Sequence, residues 1–307
     1  MKHHKFTTSG ACLLLASVLS GCSMFPSPAN TITAPQSVTT QSLGAKSTAN
    51  FIETFLPSGS KLLPPESPGG LEAIQKHDMN GDGIEEVIVT YRTGEKEKRP
   101  YIMLLRKQNG HWKKAWTYAG QGYEIDTVRF ADITGNGVPE LLVGWKMGAS
   151  AGNGLDIFSW SNNTLHKLVS TGYHKLDIVR HEGRELLAVW RKDTGNAYEV
   201  DILRWQNRDL VSDTEAYPSY FKKVAVYYEQ RIQEIPDASF YWYYLADAQQ
   251  KAQMPEQALQ AARKGLSLRG KEGYPSSAQF NRIIIAALKD LGKYQEAEQF
   301  RKTARNE

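Results

Sequence analysis

Between residues 69 and 213 the chain is a succession of short apolar runs, rich in β-branched and aromatic residues, divided by polar turns. Glu86–Tyr91, Glu140–Trp145 and Glu185–Trp190 are the first runs of three units. Tyr101–Leu105, Leu155–Trp160 and Val200–Trp205 answer them, followed by turns at Gln108–Gly110, Ser161–Asn163 and Gln206–Arg208. Runs of this length and composition between Gly/Asn turns predict antiparallel strands, about four to a unit. After Thr214 the pattern changes to long amphipathic stretches of Ala, Gln, Lys, Leu and Glu, which predict helices. Trp242, Leu245, Ala246 and Gln249 share one helical face. Ala258, Ala262 and Gly265 share the next, after a break at Met254-Pro255, and Ile284, Ile285 and Leu288 a third.

The β part is an internal repeat. Gly122-Tyr123 recurs as Gly172-Tyr173, a step of 50, and Asp78 recurs as Asp132, a step of 54. Two polar loops precede the first two units. In the first, Asp78, Asn80 and Asp82 stand at places one, three and five, the Ile84 carbonyl is at seven and Glu86 at nine. Alternating oxygen donors around a glycine at place six suit a hard cation, and calcium takes six to eight oxygens. Val89 stands at place twelve, where a helix-loop-helix site carries a bidentate Glu, so the ligand set is of the β-strand kind. The second loop offers Asp132, Thr134, Asn136, the Val138 carbonyl and Glu140, with only two carboxylates. Its ligand set is the poorer one, since affinity follows ligand charge. In the third unit His181-Glu182-Gly183-Arg184-Glu185 replaces the loop.

Period, turns and loops together resemble the FG-GAP or VCBS type of repeat that builds integrin-like β-propeller blades. Three units are fewer than the usual four to eight blades, so the resemblance implies an open or partial propeller, with Phe51–Leu63 adding edge strands. The helical segment resembles two tetratricopeptide-type hairpins, with Ala258 and Ala297 at the close-approach positions. Their step of 39 exceeds that family's usual length of about 34. Two such hairpins are too few for a free solenoid, so they are expected to pack on the β part or on a helix at Ser219–Ile235. The expected fold is thus β plus α. A partial or small propeller-like repeat domain at 51–213 precedes a helical-hairpin domain at 214–307.

The amino terminus bears on location. Lys2 and Lys5, the apolar run Ala11–Leu19 and Leu19-Ser20-Gly21-Cys22 resemble a bacterial lipoprotein signal cut before Cys22. That implies a signal peptide at 1–21, a diacylglyceryl-Cys22 anchor and an extracytoplasmic protein on the bacterial cell membrane, or alternatively the outer membrane. Residues 22–50, rich in Ser, Thr, Pro and Gln, cannot bury enough surface to fold and read as a tether. Cys12 leaves with the signal, so no disulfide can form. Beyond the signal there are 35 basic and 33 acidic residues, a balance that argues against a nucleic-acid partner.

The function expected from these features is a calcium-stabilised binding or assembly module for a protein partner, not an enzyme. One alternative is a serine hydrolase using Ser150 in Gly148-Ala149-Ser150-Ala151-Gly152, a Gly-x-Ser-x-Gly sequence. A strand rather than a helix is expected after it, which removes the elbow geometry. A second alternative is a cell-wall glycan binder stacking sugars on tryptophan. Trp145 with Trp190, and Trp160 with Trp205, occupy matched repeat positions and are expected in core or inter-sheet packing. His111, His166, His174 and His181 show no ligand spacing. Tyr241, Trp242, Tyr243 and Tyr244 cannot all face one core from a single helix, so part of the cluster is expected to meet the β part or a partner.

Overall fold

The computed structural model describes residues 50–94, 99–148, 150–270 and 273–304. The expected signal peptide, Cys22 anchor and tether therefore lie outside the described residues, apart from Asn50. The chain divides into two units, residues 1–55 and 56–307. Of the first only residues 50–55 are described, a short turn in which the Thr54 hydroxyl donates to the Phe51 carbonyl.

In the second unit three antiparallel sheets follow one another. The first contains β1 (Lys61–Leu62), β2 (Ile74–His77), β3 (Glu86–Arg92), β4 (Pro100–Gln108) and β5 (His111–Ala119), with β1 and β2 sharing one edge of β3. The second runs β6 (Glu124–Ala131), β7 (Glu140–Gly148), β8 (Gly152–Ser161), β9 (Thr164–Tyr173). The third runs β10 (Lys175–His181), β11 (Arg184–Lys192), β12 (Tyr198–Gln206), β13 (Asp209–Ser212). Strands β3 to β5, β6 to β9 and β10 to β13 each run up and down in sequence order, and none of the sheets closes into a barrel. Asn109, Asn163 and Asn207 take positive φ at the hairpin tips, which explains the asparagines of the turns.

The sheets stack face to face. Ile88, Ile102 and Leu104 of the first sheet pack against Leu141, Val143, Trp145 and Phe158 of the second. The opposite face of the second, with Leu142, Leu155 and Ile157, packs against Leu187, Val189 and Leu203 of the third. Alternate residues of β7 thus serve two cores, as the two-residue period of a strand requires. Burying each such side chain fully stabilises the fold by about 1.5–3 kcal/mol.

One matched pair of the sequence does not survive. Gly144 pairs with Leu155, whereas Trp190 pairs with Val200, the repeat counterpart of Leu155. Trp190 therefore stands where the second sheet has Gly144, and it faces the following layer while Trp145 faces the preceding one. A one-residue offset in β11 exchanges the two faces of a strand. Gly144 cannot carry a side chain, because a Cβ there would lie 2.0 Å from the Tyr173 hydroxyl oxygen. Trp160 and Trp205 do match, each facing the preceding sheet.

The far face of the third sheet is covered by helix. Asp213 accepts from the Ala216 N–H and caps a 3-10 turn at Thr214–Ala216, which leads into α1 (Tyr217–Glu234) with Pro218 in its first turn. Phe221, Val224, Ala225 and Tyr228 of α1 share one core with Leu186, Ala188, Trp190 and Ile202. The Trp190 indole N–H donates to the Tyr220 hydroxyl at 2.8 Å, and Lys175 Nζ lies 4.3 Å from the ring centres of both Tyr198 and Tyr227. On α1 rest α2 (Ser239–Lys251), α3 (Pro255–Leu268), α4 (Ser277–Asp290) and α5 (Tyr294–Thr303), consecutive helices packing on one another. Ala258 and Ala297 are fully buried at their close approaches. Gly265 is closer still, since a Cβ there would lie 2.4 Å from the Phe280 ring. Of the aromatic cluster on α2, Tyr244 reaches the β part, its hydroxyl donating to Asp193 at 2.5 Å. On α5 only Ala297 is buried, so its outer face is the polar end of the array.

Candidate metal loops

The first loop joins β2 to β3, the second joins β6 to β7, and both follow the same path. Gly81 and Gly83 have φ of +75° and +80°, Gly135 and Gly137 +73° and +85°. Glycine is the residue that takes these left-handed turns without strain, so the chain coils around the side chain at place one. In the first loop Asp78 Oδ1 accepts from the N–H of Asn80 (3.2 Å) and Gly81 (2.7 Å), and its Oδ2 from Gly83 (2.8 Å). Asn80 Oδ1 accepts from the Asp82 N–H and Asp82 Oδ1 from the Ile84 N–H, both at 2.8 Å. These N–H groups, Gly83 foremost, hold the Asp78 carboxyl below its ordinary range.

Glu86 closes the loop from below. It is 1% exposed, its Oε2 accepts from the Met79 N–H and its Oε1 from the Asn80 amide, both at 2.9 Å. Met79 itself is fully buried in the core between the first two sheets. Burial pushes the Glu86 carboxyl up, against the pull of the Met79 N–H, and the charges of Asp82 and Asp78 push it further. Arg106 opposes them from 4.0 Å. Its Nη1 also donates to Asn163 Oδ1 at 2.9 Å, and its guanidinium lies 5.4 Å from the Trp160 ring centre. Arg106 thus ties the first loop to the tip of the second sheet.

The second loop repeats the scheme with fewer charges. Asp132 accepts from the N–H of Asn136 (3.0 Å) and Gly137 (2.8 Å), and Asn136 Oδ1 from that of Val138 (2.7 Å). Glu140 takes the place of Glu86, accepting from the N–H groups of Ile133 and Thr134 and from the Thr134 hydroxyl. Burial raises its pKa as well. Glu185 of the third sheet instead reaches across, accepting from the Asp132 N–H at 2.7 Å while Arg180 holds its other oxygen. A glutamate at or next to the start of β3, β7 and β11 thus secures a loop amide. The repeat shows those glutamates, but not that they bond inward.

Among the described residues no three acidic, histidine or cysteine side chains converge as a ready metal centre. The oxygens of the first loop face its own amides. The donor set nevertheless fits a hard cation, since Asp78 Oδ2, Asp82 Oδ1 and the two Glu86 oxygens each accept a single hydrogen bond and keep a second lone pair, and Ile84 is an exposed residue. Asp78, Asn80, Asp82, Ile84 and Glu86 are the residues that would hold it. In the second loop Thr134 and Glu140 are bonded to each other, and Asp132 is the remaining carboxylate.

Ser150 is exposed in the turn between β7 and β8, and the strand β8 follows it. His174 is the histidine brought near. Its ring lies against Gly152, and its Nδ1 accepts from the Lys192 N–H at 3.0 Å. Its other side faces the backbone of Ser150, and burial lowers its pKa. The ring is therefore turned to main-chain groups rather than to the Ser150 hydroxyl, and a strand–serine–helix elbow is not formed.

A family model described as the FG-GAP-like repeat matches residues 78–143, which include both loops and the sheet strands between them. No curated protein matches the chain.

Proposed function

We propose that this chain is a lipid-anchored, extracytoplasmic binding or assembly module whose FG-GAP-like repeats form an open, propeller-like stack braced by one calcium ion. The observation that carries the reading is the first loop, where the charges of Asp82 and Asp78 act on the Glu86 carboxyl and Arg106 at 4.0 Å is its counter-charge. With the ion bound, Asn80 and Asp82 exchange an amide contact for it and the mutual repulsion of the carboxylates is relieved. The loop is then fixed to β3 through Glu86 and to the core through Met79. The second loop, with two carboxylates and a self-satisfied Thr134, stays metal-free. A rigid stack of sheets with a helical array on one side supports the presentation of surfaces to a protein partner, a reading by fold-level analogy.

The test is thermal unfolding in chelator and in calcium. The β part is expected to melt lower in chelator, and Asp82→Ala to remove most of the difference. An unchanged melt in chelator would sink the brace. The Ser150 hydrolase is separated from this reading by esterase and peptidase assays on Ser150→Ala, and a wall-glycan role by tryptophan fluorescence with wall fragments.

A further inference from the structure

Between the second and third sheets, where β9 hands over to β10, lies a cavity of about 210 Å³. That is roughly the volume of seven liquid waters, room for one small molecule. Its wall carries both signs of charge. Asp126, Thr127 and Arg129 come from β6 and Tyr173 from β9. Ser67 belongs to a segment that runs along the edge of β6, its N–H donating to the Asp126 carbonyl at 2.7 Å.

Arg129 is the group that calls for a partner. Its Nε donates to Thr127 Oγ1 at 3.3 Å, and its terminal nitrogens have no hydrogen-bond or ion-pair partner among the described residues. Asp177, which feels its charge, accepts from Lys223 at 2.7 Å and from the Tyr220 hydroxyl at 2.5 Å, both through Oδ2, and makes no ion pair with Arg129. A guanidinium fork with free donors matches a carboxylate in two-point geometry. On the same wall Asp126, nearly buried, accepts from the Tyr173 hydroxyl through one oxygen, and Tyr173 is itself buried. The other Asp126 oxygen is an acceptor that would repel a bare anion and welcome a donor. The hydroxyls of Ser67 and Thr127 can take either role.

We propose that this cavity binds a small carboxylic acid carrying a neighbouring hydroxyl or amino group. The carboxylate lies on the Arg129 fork and the donor on Asp126. An amino acid and a sugar acid share this chemistry. The site is independent of the metal loops, so the failure of either reading leaves the other standing.

The experiment is calorimetric titration of the full chain with L-alanine, D-alanine and glucuronate, with acetate and inorganic phosphate as probes lacking the donor. Binding of an amino acid or of the sugar acid is expected with a dissociation constant on the order of 1 mM or tighter, and whichever binds names the source. Acetate and phosphate are expected to bind at least about tenfold more weakly. Arg129→Gln should weaken the winning probe by at least about tenfold, and Arg129→Lys, which keeps the charge but not the fork, by less. Near-ultraviolet circular dichroism reports whether each variant is folded. No binding of any of the three acids overturns the proposal. So does acetate binding as tightly as they do, or a folded Arg129→Gln that binds as well as the parent.

Discussion

Replacing Arg106 with methionine tests the charge balance of the first loop. Methionine keeps an unbranched stem over Trp160 and removes the guanidinium. At 4.0 Å from Glu86 the bare Coulomb attraction is about 4 kcal/mol at an effective dielectric of about 20. The Arg106 side chain is 24% exposed, and screening reduces the net value to about 1–2 kcal/mol. Loss of the hydrogen bond to Asn163 adds about 1 kcal/mol, and loss of the contact with the Trp160 ring about 0.5–1 kcal/mol. The total of about 2.5–4 kcal/mol corresponds to a fall in melting temperature of about 5–16 °C for a unit of this size. The assay is differential scanning calorimetry of parent and variant, in chelator and again in millimolar calcium. If a cation sits among Asp78, Asp82 and Glu86, the loss of Arg106 matters less once it is bound, and the gap narrows by about 1–2 kcal/mol. A variant that melts with the parent in chelator would refute the counter-charge argument, as would a gap that calcium leaves unchanged.

Other consequences follow from the same geometry. Glu86 has a raised carboxyl pKa in the folded state, so the native state binds its proton more tightly than the unfolded chain does. Its contribution therefore falls as pH rises from the ordinary glutamate range, about 4.3, through the folded pKa. In chelator Glu86→Gln should remove that fall, read as a smaller drop in stability between acid and neutral pH, and a variant with the parent's pH profile would contradict it. Asp78 works in the opposite sense, its lowered pKa giving stability above the aspartate range that is lost on acidification. Gly144→Ala should cost about 3–5 kcal/mol, by crowding the buried Tyr173 hydroxyl off Asp126. A urea midpoint unchanged from the parent's would disprove that close approach. Asp193→Ala removes the acceptor shared by the Tyr244 and Tyr274 hydroxyls. It should lower stability by about 1–3 kcal/mol, with tryptophan and tyrosine near-ultraviolet signals as the readout.

The strands, their turns and the switch to helices at Thr214 were legible because each has a local cause, a two-residue alternation, an asparagine at positive φ, or a helical spacing. The loops were legible for the same reason, through the recurrence of Asp78 and its glycines at Asp132. What the chain did not disclose was long-range. Glu185-Leu186-Leu187 matches Glu140-Leu141-Leu142 letter for letter, yet β11 pairs one residue out of step, because only the ladder to β12 fixes which face Trp190 takes. The inward bonds of Glu86 and Glu140 were hidden too, since a carboxylate at place nine serves equally as a ligand or as an acceptor for a buried amide. The helices were expected on the β part or on a helix near Ser219. They do both, α1 lying between the third sheet and α2, and composition alone could not choose.

The central claim is that the first loop takes one calcium ion and the second none. Isothermal calorimetry of the purified protein in chelator-stripped buffer tests it most directly. The expected result is a single site with a dissociation constant on the order of 0.1–1 mM, the range of extracellular modules, abolished by Asp82→Ala and indifferent to Asp132→Asn. No heat at millimolar calcium would contradict the account. It would leave both loops as glycine-coiled turns held by Asp78, Glu86, Asp132 and Glu140 alone.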